Sequence, residues 1–196
     1  MIDNLKDRKE ELFKGLNNFY VEKGYDRKYL NLFGIRDDAS PDEWNDVIGF
    51  FTPEGMIHIF QATTDPGLYY QKNPLNRKGT AWMCEGFHEN IWKHGKHKKY
   101  PALIQTGNKV KVYRNLKQGY APGKGLDVGY FGINHHRAHA TKDAASVGGY
   151  SAGCQVIRKP EDWEFAFSFY EKYKLDAYSY LLLNKDSVED TLGIKI

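Results

Sequence analysis

Two segments of the chain combine residue types that can carry out nucleophilic chemistry. Residues 132–137 (GINHHR) contain the adjacent histidines His135 and His136, and residues 150–156 (YSAGCQV) contain Cys154 directly after a glycine. A free cysteine has a pKa of about 8.5 and is mostly protonated near neutral pH, so it needs a neighbouring base to act as a nucleophile. Imidazole is the usual base. The two segments therefore predict a thiol nucleophile with a histidine partner.

Only one of the two histidines can serve the thiol. Residues 130–136 are predicted to form a strand, and the side chains of a strand point alternately to its two faces. His135 and His136 therefore cannot both face Cys154. Strand alternation alone leaves the choice between them open.

The composition is that of a globular protein with one domain. The chain has 196 residues, which is long enough for a core of its own and short for two domains. Hydrophobic residues make up 41% and charged residues 27%, which argues against disorder. The net charge of +3 is spread along the chain, so it gives no case for nucleic-acid binding and permits an anionic substrate.

The sequence lacks the signals of export and of membrane insertion. No apolar run approaches the roughly 20 residues of a membrane helix, and the first residues lack the apolar segment of a secretion signal. We therefore expect a soluble chain that is cytoplasmic as synthesised and does not contact a membrane. Cys84 and Cys154 are too few for a disulfide framework, and we expect both to be reduced. Cys84 is expected to be a buried structural residue.

The first 44 residues are predicted to form a helical segment. Apolar residues recur at helical spacing in residues 3–20, with charged residues between them. A second, short helix is predicted from Asp26, as its N-cap, to Gly34, as its C-cap. Residues 40–43 (SPDE) have the form of a capping box that opens a helical turn.

Strands dominate the prediction from residue 45 onward. Residues 47–51 and 56–60 flank a turn and predict a hairpin. Further strands are predicted at residues 80–84, 102–105, 110–113, 130–136, 155–157 and 178–183. One helix, with Pro160 as its first residue, follows the Cys154 turn. The predicted fold class is α+β, with a mainly β core over residues 45–196.

At these residues the sequence resembles the L,D-transpeptidase family of cysteine enzymes. Members carry a histidine near the end of a strand and, after a loop of similar length, a Ser/Thr-x-Gly-Cys turn. The histidine matches His136 rather than His135, and the turn matches residues 151–154 (SAGC). A wider string is similar to uncharacterised phage and bacterial proteins with this core, over most of residues 45–185. It comprises residues 62–67 (ATTDPG), 100–103 (YPAL) and 129–134 (GYFGIN).

The resemblance implies both a fold and a reaction. The fold would be a mixed sheet or sandwich of the L,D-transpeptidase type. The reaction would be acyl transfer on peptidoglycan-type peptides, by a transpeptidase or a hydrolase that uses no cofactor or metal. Cys154 would attack a peptide carbonyl, and His136 would take the thiol proton while a backbone carbonyl holds its other ring nitrogen. Backbone N–H groups of Gly153 and Cys154 would face the developing oxyanion.

The resemblance also implies substrate contacts. Ser151 would hydrogen-bond within the turn or to the substrate, and Arg137 would bind a substrate carboxylate. Three neighbouring residues are also placed at the substrate: Asn134, Tyr150 and Gln155. The family commonly has glycine after its histidine and arginine shortly after its cysteine, whereas this chain has Arg137 and then residues 155–157 (QVI). These departures bear on substrate specificity.

Two other interpretations of the same region stay open. A zinc hydrolase would draw its ligands from imidazole, thiolate and carboxylate groups, although their spacing matches no zinc signature; the candidates are His135, His136, His139, Asp143 and Cys154. A non-enzymatic module would instead hold cell-wall peptide or glycan in an aromatic cleft. The missing export signal favours a phage or prophage origin, or delivery to the cell wall by another route.

The densest positive cluster is residues 93–100 (KHGKHKKY). Together with Trp92 it could meet an anionic polymer. A solvated basic loop is the simpler interpretation of such a charge run. The sequence assigns no role to His97, which lies within this cluster.

Overall fold

The computed structural model describes residues 1–25, 29–37, 42–115 and 125–196. Within them, eight strands form a closed barrel and three more form a small separate sheet. The helices are α1 (Ile2–Asp7), α2 (Lys9–Glu22), α3 (Leu68–Lys72), α4 (Pro160–Tyr173) and α5 (Val188–Leu192), with a 3-10 turn at Lys185–Ser187. The α+β class with a mainly β core is confirmed.

The strands are numbered in chain order. They are β1 (Asn31–Arg36), β2 (Asp46–Phe51), β3 (Ile57–Thr63), β4 (Thr80–Met83), β5 (Gly86–His97), β6 (Tyr100–Gln105), β7 (Val110–Asn115), β8 (Leu126–Gly129), β9 (His135–Arg137), β10 (Gln155–Ile157) and β11 (Tyr178–Asn184). The barrel order is β1-β11-β5-β6-β9-β10-β3-β2, and the small sheet has the order β4-β7-β8.

The barrel wall is covered by helices on its two faces. One buried cluster joins strand residues such as Trp92 and Tyr180 to Trp163 and Tyr170 of α4. The other joins the opposite strand faces to α1, α2 and α5. Because both faces are buried, β1, β2 and β11 are buried along almost their whole length. Their apolar residues therefore do not alternate with exposed polar ones. No helix in the described part of the chain is long and apolar enough to cross a membrane.

The prediction of a helix from Asp26 to Gly34 is wrong. Asp26 lies outside the described residues, but the second half of the segment belongs to β1, which is buried throughout and pairs with β2 and β11. Leu32 packs in one buried cluster and Phe33 in the other, as expected for side chains that alternate across a strand. Burial on both faces produced the apolar run that imitated a helix.

The described part of residues 40–43 does not begin a helix. Residues 40 and 41 lie outside the described residues. Asp42 has a φ of 69°, a left-handed value that no helix contains. Its carboxylate instead accepts hydrogen bonds from the backbone N–H groups of Leu68 and Gly148, both at 2.7 Å.

The predicted strand at residues 130–136 is confirmed only at its end, because β9 begins at His135. The backbone before β9 forms hydrogen bonds with side chains and not with a neighbouring strand. The Gln105 Oε1 atom accepts from the N–H groups of Phe131 and Ile133, at 2.9 and 3.1 Å. The Trp92 indole donates to the Ile133 carbonyl at 2.8 Å. Such contacts satisfy backbone groups that a sheet would otherwise pair.

A buried ionic cluster anchors the loop after β3. The Arg36 guanidinium is fully buried and forms ion pairs with Asp65 at 2.6 Å and Glu85 at 2.7 Å. It also donates to the Thr64 carbonyl at 3.1 Å, and the Asp46 carboxylate accepts from the Thr64 N–H at 2.6 Å. Burial raises the pKa of Asp65 above the usual range although Arg36 opposes the shift, and the Asp46 charge raises it further.

This cluster predicts a specific pH dependence of stability. The pKa of Asp65 is raised in the folded state. Its contribution to the free energy of unfolding is therefore greatest at low pH and is lost as the pH rises above about 4, the usual pKa of an Asp carboxyl. Asp65→Asn also removes an ion-pair partner of the buried Arg36, so we expect a fixed offset from wild type together with a melting temperature that rises relative to that of wild type as the pH increases from 5 to 8. The unfolding free energy of the variant should gain at most about 1.4 kcal/mol per pH unit relative to that of wild type. Thermal melts of both proteins from pH 5 to 8 measure it. A relative gain that shrinks with rising pH would contradict the raised pKa.

Candidate active site

A cavity of about 430 Å³ brings the predicted nucleophile and base together. Cys154 and His136 both line it, and so do His97, Lys98 and Tyr150. Cys154 is 8% exposed and His136 is 2% exposed, so both reactive side chains are almost fully covered. A substrate that entered the cavity would therefore meet two side chains that bulk water hardly reaches.

The parallel pairing of β9 and β10 creates this proximity. His135 pairs with Gln155 and His136 with Val156, and Cys154 is the residue just before β10. The Gln155 N–H also donates to the Asn134 carbonyl at 2.9 Å. The Cys154 turn therefore lies beside the start of β9.

The structure resolves which histidine belongs to the cavity. His135 is fully buried on the opposite face, where it contacts the Gln155 carbonyl at 3.0 Å and the Tyr170 hydroxyl at 2.9 Å. Its ring stacks on Trp92 at a centroid distance of 5.4 Å. His135 is therefore a core residue with both ring nitrogens bonded, and His136 is the histidine that lines the cavity.

His136 is held in the tautomer that a general base requires. Its Nδ1 atom lies 2.7 Å from the carbonyl oxygen of Arg137. Since a carbonyl can only accept, Nδ1 carries the proton and Nε2 has a free lone pair. Nε2 is buried and has no hydrogen-bond partner among the described residues. Burial lowers the pKa of His136 to about 3, and the neighbouring His97 ring acts in the same direction.

Cys154 is a neutral thiol in this environment. Burial raises its pKa to about 11, while the Asn134 N–H, which donates to Sγ at 3.5 Å, partly opposes the shift. The thiol itself contacts the Gly132 carbonyl at 3.5 Å. The two pKa values favour a neutral thiol and a neutral imidazole in the unliganded protein. If the thiol reacts, its proton has to be transferred to a base during the attack.

The titration of Cys154 follows from its burial. Below a pKa of about 11 the thiolate fraction grows tenfold per pH unit, so we expect iodoacetamide alkylation of Cys154 to accelerate steadily from pH 7 to 10. Rates measured by intact mass in a Cys84→Ala background isolate this cysteine, since burial also raises the pKa of Cys84 to about 11. A rate that levels off near neutral pH would instead show a thiolate–imidazolium pair.

Ser151 builds the turn that presents the thiol. It is fully buried, its hydroxyl donates to the Cys154 carbonyl at 2.8 Å, and the same oxygen accepts from the Gly153 N–H at 3.1 Å. Of its two expected roles, the structure shows the bond within the turn. The Gly153 N–H is therefore engaged within the turn in the unliganded protein, and its role as an oxyanion donor stays a prediction. The Cys154 N–H has no hydrogen-bond partner among the described residues.

Gly153 is required by both conformation and space. Its φ is 119°, a value that side chains rarely adopt, and an added Cβ would lie 2.5 Å from the Ala81 carbonyl oxygen of β4. The small sheet therefore packs directly against the Cys154 turn.

Substitution of Gly153 by alanine should consequently destabilise the turn. We expect Gly153→Ala to lose roughly 1–3 kcal/mol of unfolding free energy, the usual cost of a strained backbone residue. Gly149→Ala is the matched control, because its added Cβ meets no described atom within 4 Å. Urea unfolding of both variants compares them. Equal stability of the two would contradict the steric requirement at Gly153.

The predicted substrate contacts divide into one that lines the cavity and three that do not. Tyr150 forms part of the wall. The Arg137 guanidinium lies 4.3 Å over the Tyr100 ring and borders a different groove, because Arg137 follows His136 on the strand and faces the other side. Gln155 is fully buried, with its side chain bonded to the Thr64 carbonyl and the Tyr180 hydroxyl. The Arg137 and Gln155 side chains therefore lie outside the cavity that contains Cys154, and their predicted contact with a substrate stays a prediction.

The Asn134 side chain hydrogen-bonds to neighbouring residues and does not form part of the cavity surface. Its Oδ1 accepts from the Gln105 N–H at 2.9 Å, and its Nδ2 lies 3.1 Å from the Nδ1 atom of His97. It therefore orients His97, and its side chain is not among the groups that border the cavity.

The basic segment at residues 93–100 is not only a solvated loop. It forms the hairpin between β5 and β6, and it places His97 and Lys98 in the cavity. The sequence pattern did not predict β5 as a strand or Arg114, on β7, as a second cation of the cavity. The available signal was the pair His94 and His97 among the lysines, because residues three positions apart lie on opposite faces of a strand. His139 is a loop residue that accepts from the N–H groups of Thr141 and Lys142.

In the described part of the chain, no group of three or more His, Cys, Asp or Glu side chains is placed to hold a metal ion. Comparison with protein-family models, curated proteins and solved structures found no match to this chain. The function therefore has to be argued from the geometry of the cavity.

Proposed function

We propose that this protein is a cysteine-dependent acyl transferase or hydrolase of the L,D-transpeptidase type, acting on peptidoglycan-type peptides. One observation carries the proposal: the His136 Nε2 atom is a buried hydrogen-bond acceptor without a partner among the described residues, in the wall of the cavity that contains a free thiol. Leaving such an atom unpaired costs about 1–3 kcal/mol, so a structural role does not account for it. A general base requires it.

The reaction proceeds in two steps. Cys154 Sγ bonds to the substrate carbonyl carbon as its proton passes to His136 Nε2, which gives a tetrahedral oxyanion. The C–N bond then breaks, and His136 returns the proton to the leaving amine, so that a thioester remains. An acceptor amine or water attacks this thioester, gives its proton to His136, and Sγ leaves and recovers that proton. The acceptor decides between transpeptidation and hydrolysis.

The electrostatics of the unliganded cavity oppose the first proton transfer, from a thiol with a pKa of about 11 to a base with a pKa of about 3, and favour the return of the proton. The Arg137 carbonyl stabilises the imidazolium that forms in each step, since it accepts from Nδ1 at 2.7 Å. Burial keeps His136 neutral at rest and makes its protonated form a strong acid, because the pKa of the group is about 3. A strong acid releases its proton readily to a departing amine.

The lining of the cavity favours a peptide that carries a carboxylate. Lys98 and Arg114 line it, and none of the described lining residues carries an acidic side chain. The Arg114 guanidinium already pairs with Asp127 at 3.4 Å, so Lys98 is the cation that we expect to meet a substrate carboxylate. Leu75, Tyr130 and Tyr150 are exposed apolar residues at its border, with exposures of 80%, 60% and 36%. Cations within an apolar rim attract a carboxylate on a peptide backbone. Stem peptides of the cell wall are of this class.

A binding module is the second candidate, and the low reactivity of Cys154 favours it. A thiol whose pKa is raised to about 11 is a poor nucleophile without substrate-induced proton transfer. In that case the aromatic and basic cavity would hold cell-wall peptide without chemistry.

A mass-spectrometric experiment tests the enzymatic proposal. Incubation with peptidoglycan fragments should add the mass of an acyl group to the protein, and we expect Cys154→Ala to abolish the adduct and turnover. His136→Gln should reduce both by about 10²–10⁴-fold, the usual contribution of a general base. Cys84→Ala is the matched control, because that thiol is also buried and does not line the cavity.

The two candidates give different outcomes. Acylation and turnover that depend on Cys154 but not on Cys84 support the enzyme. Fragment binding that survives Cys154→Ala, without any adduct on the wild-type protein, supports the binding module and contradicts acyl transfer.

A further inference from the structure

His97 is a cavity residue that the general-base mechanism does not use. It is the last residue of β5 and lines the cavity together with Cys154. Its ring stacks on the His136 ring with centroids 4.0 Å apart and an interplanar angle of 11°. Two imidazoles therefore lie side by side in the cavity that Cys154 also lines, and only one of them is needed as a base.

The hydrogen bonds of Asn134 determine where the His97 proton lies. The Gln105 backbone N–H can only donate, so the atom of Asn134 that it contacts at 2.9 Å is the oxygen. The other end of the amide is consequently the NH₂ group, which donates to His97 Nδ1 at 3.1 Å. A ring nitrogen that accepts carries no proton. The neutral His97 ring therefore has its proton on Nε2.

The two stacked rings have opposite tautomers. His136 presents a lone pair at Nε2, because its Nδ1–H is bonded to the Arg137 carbonyl. His97 presents an N–H at the same ring position. Burial lowers the pKa of His97, and the charge of Lys98 acts in the same direction, so the ring stays neutral near pH 7. Two stacked rings that line the cavity of Cys154 thus carry an acceptor and a neutral donor.

The Cys154 turn leaves a place for such a donor. Stabilising a tetrahedral oxyanion usually takes two hydrogen bonds, and the Gly153 N–H is already bonded to the Ser151 hydroxyl. Among the described backbone groups of the turn, the N–H groups of Ala152 and Cys154 have no hydrogen-bond partner, and both residues line the cavity. A side chain that lines the cavity can supply a further donor.

We propose that His97 is a catalytic residue that donates a hydrogen bond from Nε2 to the oxyanion formed when Cys154 attacks a carbonyl. This inference rests on the proposed acyl transfer. The proton stays on His97 throughout, because His136 performs the proton transfers. The Gln105–Asn134–His97 chain of hydrogen bonds holds the donor in the required tautomer before the substrate binds, which is the condition for effective electrostatic stabilisation.

Two reagents separate this role from an effect on the thiol. Acylation of Cys154 by p-nitrophenyl acetate passes through a tetrahedral oxyanion, and it is followed by p-nitrophenolate release and by the acetyl mass on the protein. Alkylation of Cys154 by iodoacetamide is a displacement at carbon that forms no oxyanion. Both rates are measured at one pH in the Cys84→Ala background.

His97→Met and His97→Gln are the paired variants. Methionine removes the donor, and we expect acylation to fall by about 10²-fold, the usual effect of losing one oxyanion donor. Alkylation should change by less than about threefold, since it depends on the thiolate fraction. The Gln amide can place an N–H near the position of Nε2, so His97→Gln should recover at least about a tenth of the wild-type acylation rate.

The outcomes distinguish the two proposals. Acylation that is unchanged in His97→Met, equal losses of acylation and alkylation, or equal losses in both His97 variants would overturn the donor role while acyl transfer itself stands. A wild-type protein that alkylates at Cys154 but is never acylated would overturn the proposed function, and the role of His97 with it.

Discussion

The parallel pairing of β9 with β10 is the contact on which the candidate site depends. Parallel neighbours cannot be joined by a tight turn, so the chain between them has to cross from one end of the pair to the other. That crossing, residues 138–154, ends in the Cys154 turn and supplies Tyr150 to the cavity wall. The same pairing therefore positions the base, presents the nucleophile and builds part of the surface that a substrate would meet.

Burial determines the chemistry of this arrangement. Desolvation keeps both the thiol and the imidazole neutral, so the groups are arranged for proton transfer during the reaction rather than for a stored charge. The surrounding polar groups are organised accordingly, since Ser151, Asn134 and the Arg137 carbonyl each hold one partner in a fixed orientation. A low-dielectric cavity strengthens each of these bonds.

Sequence reasoning predicted what depends on local pattern. The α+β class, the helix at Pro160 and most of the strands follow from periodicity, and the Gly-Cys turn with its preceding histidine follows from spacing. The sequence of β1 predicts a helix because burial on both faces removes the alternation of apolar and polar residues that indicates a strand. Arg137 lies outside the cavity because it follows His136 on the strand, an alternation that the sequence already implies, whereas the burial of Gln155 depends on the register of the barrel strands. His97 could not be assigned because Asn134, which fixes its tautomer, lies 37 residues away in the chain.

The raised pKa of Cys154 also has a consequence for oxidation. Peroxide attacks the thiolate rather than the thiol, and at pH 7 a group with a pKa of about 11 is ionised to about one part in ten thousand. Cys84 has a similarly raised pKa. Both thiols of this chain therefore resist conversion to sulfenic acid in surroundings that inactivate enzymes with a permanently ionised cysteine.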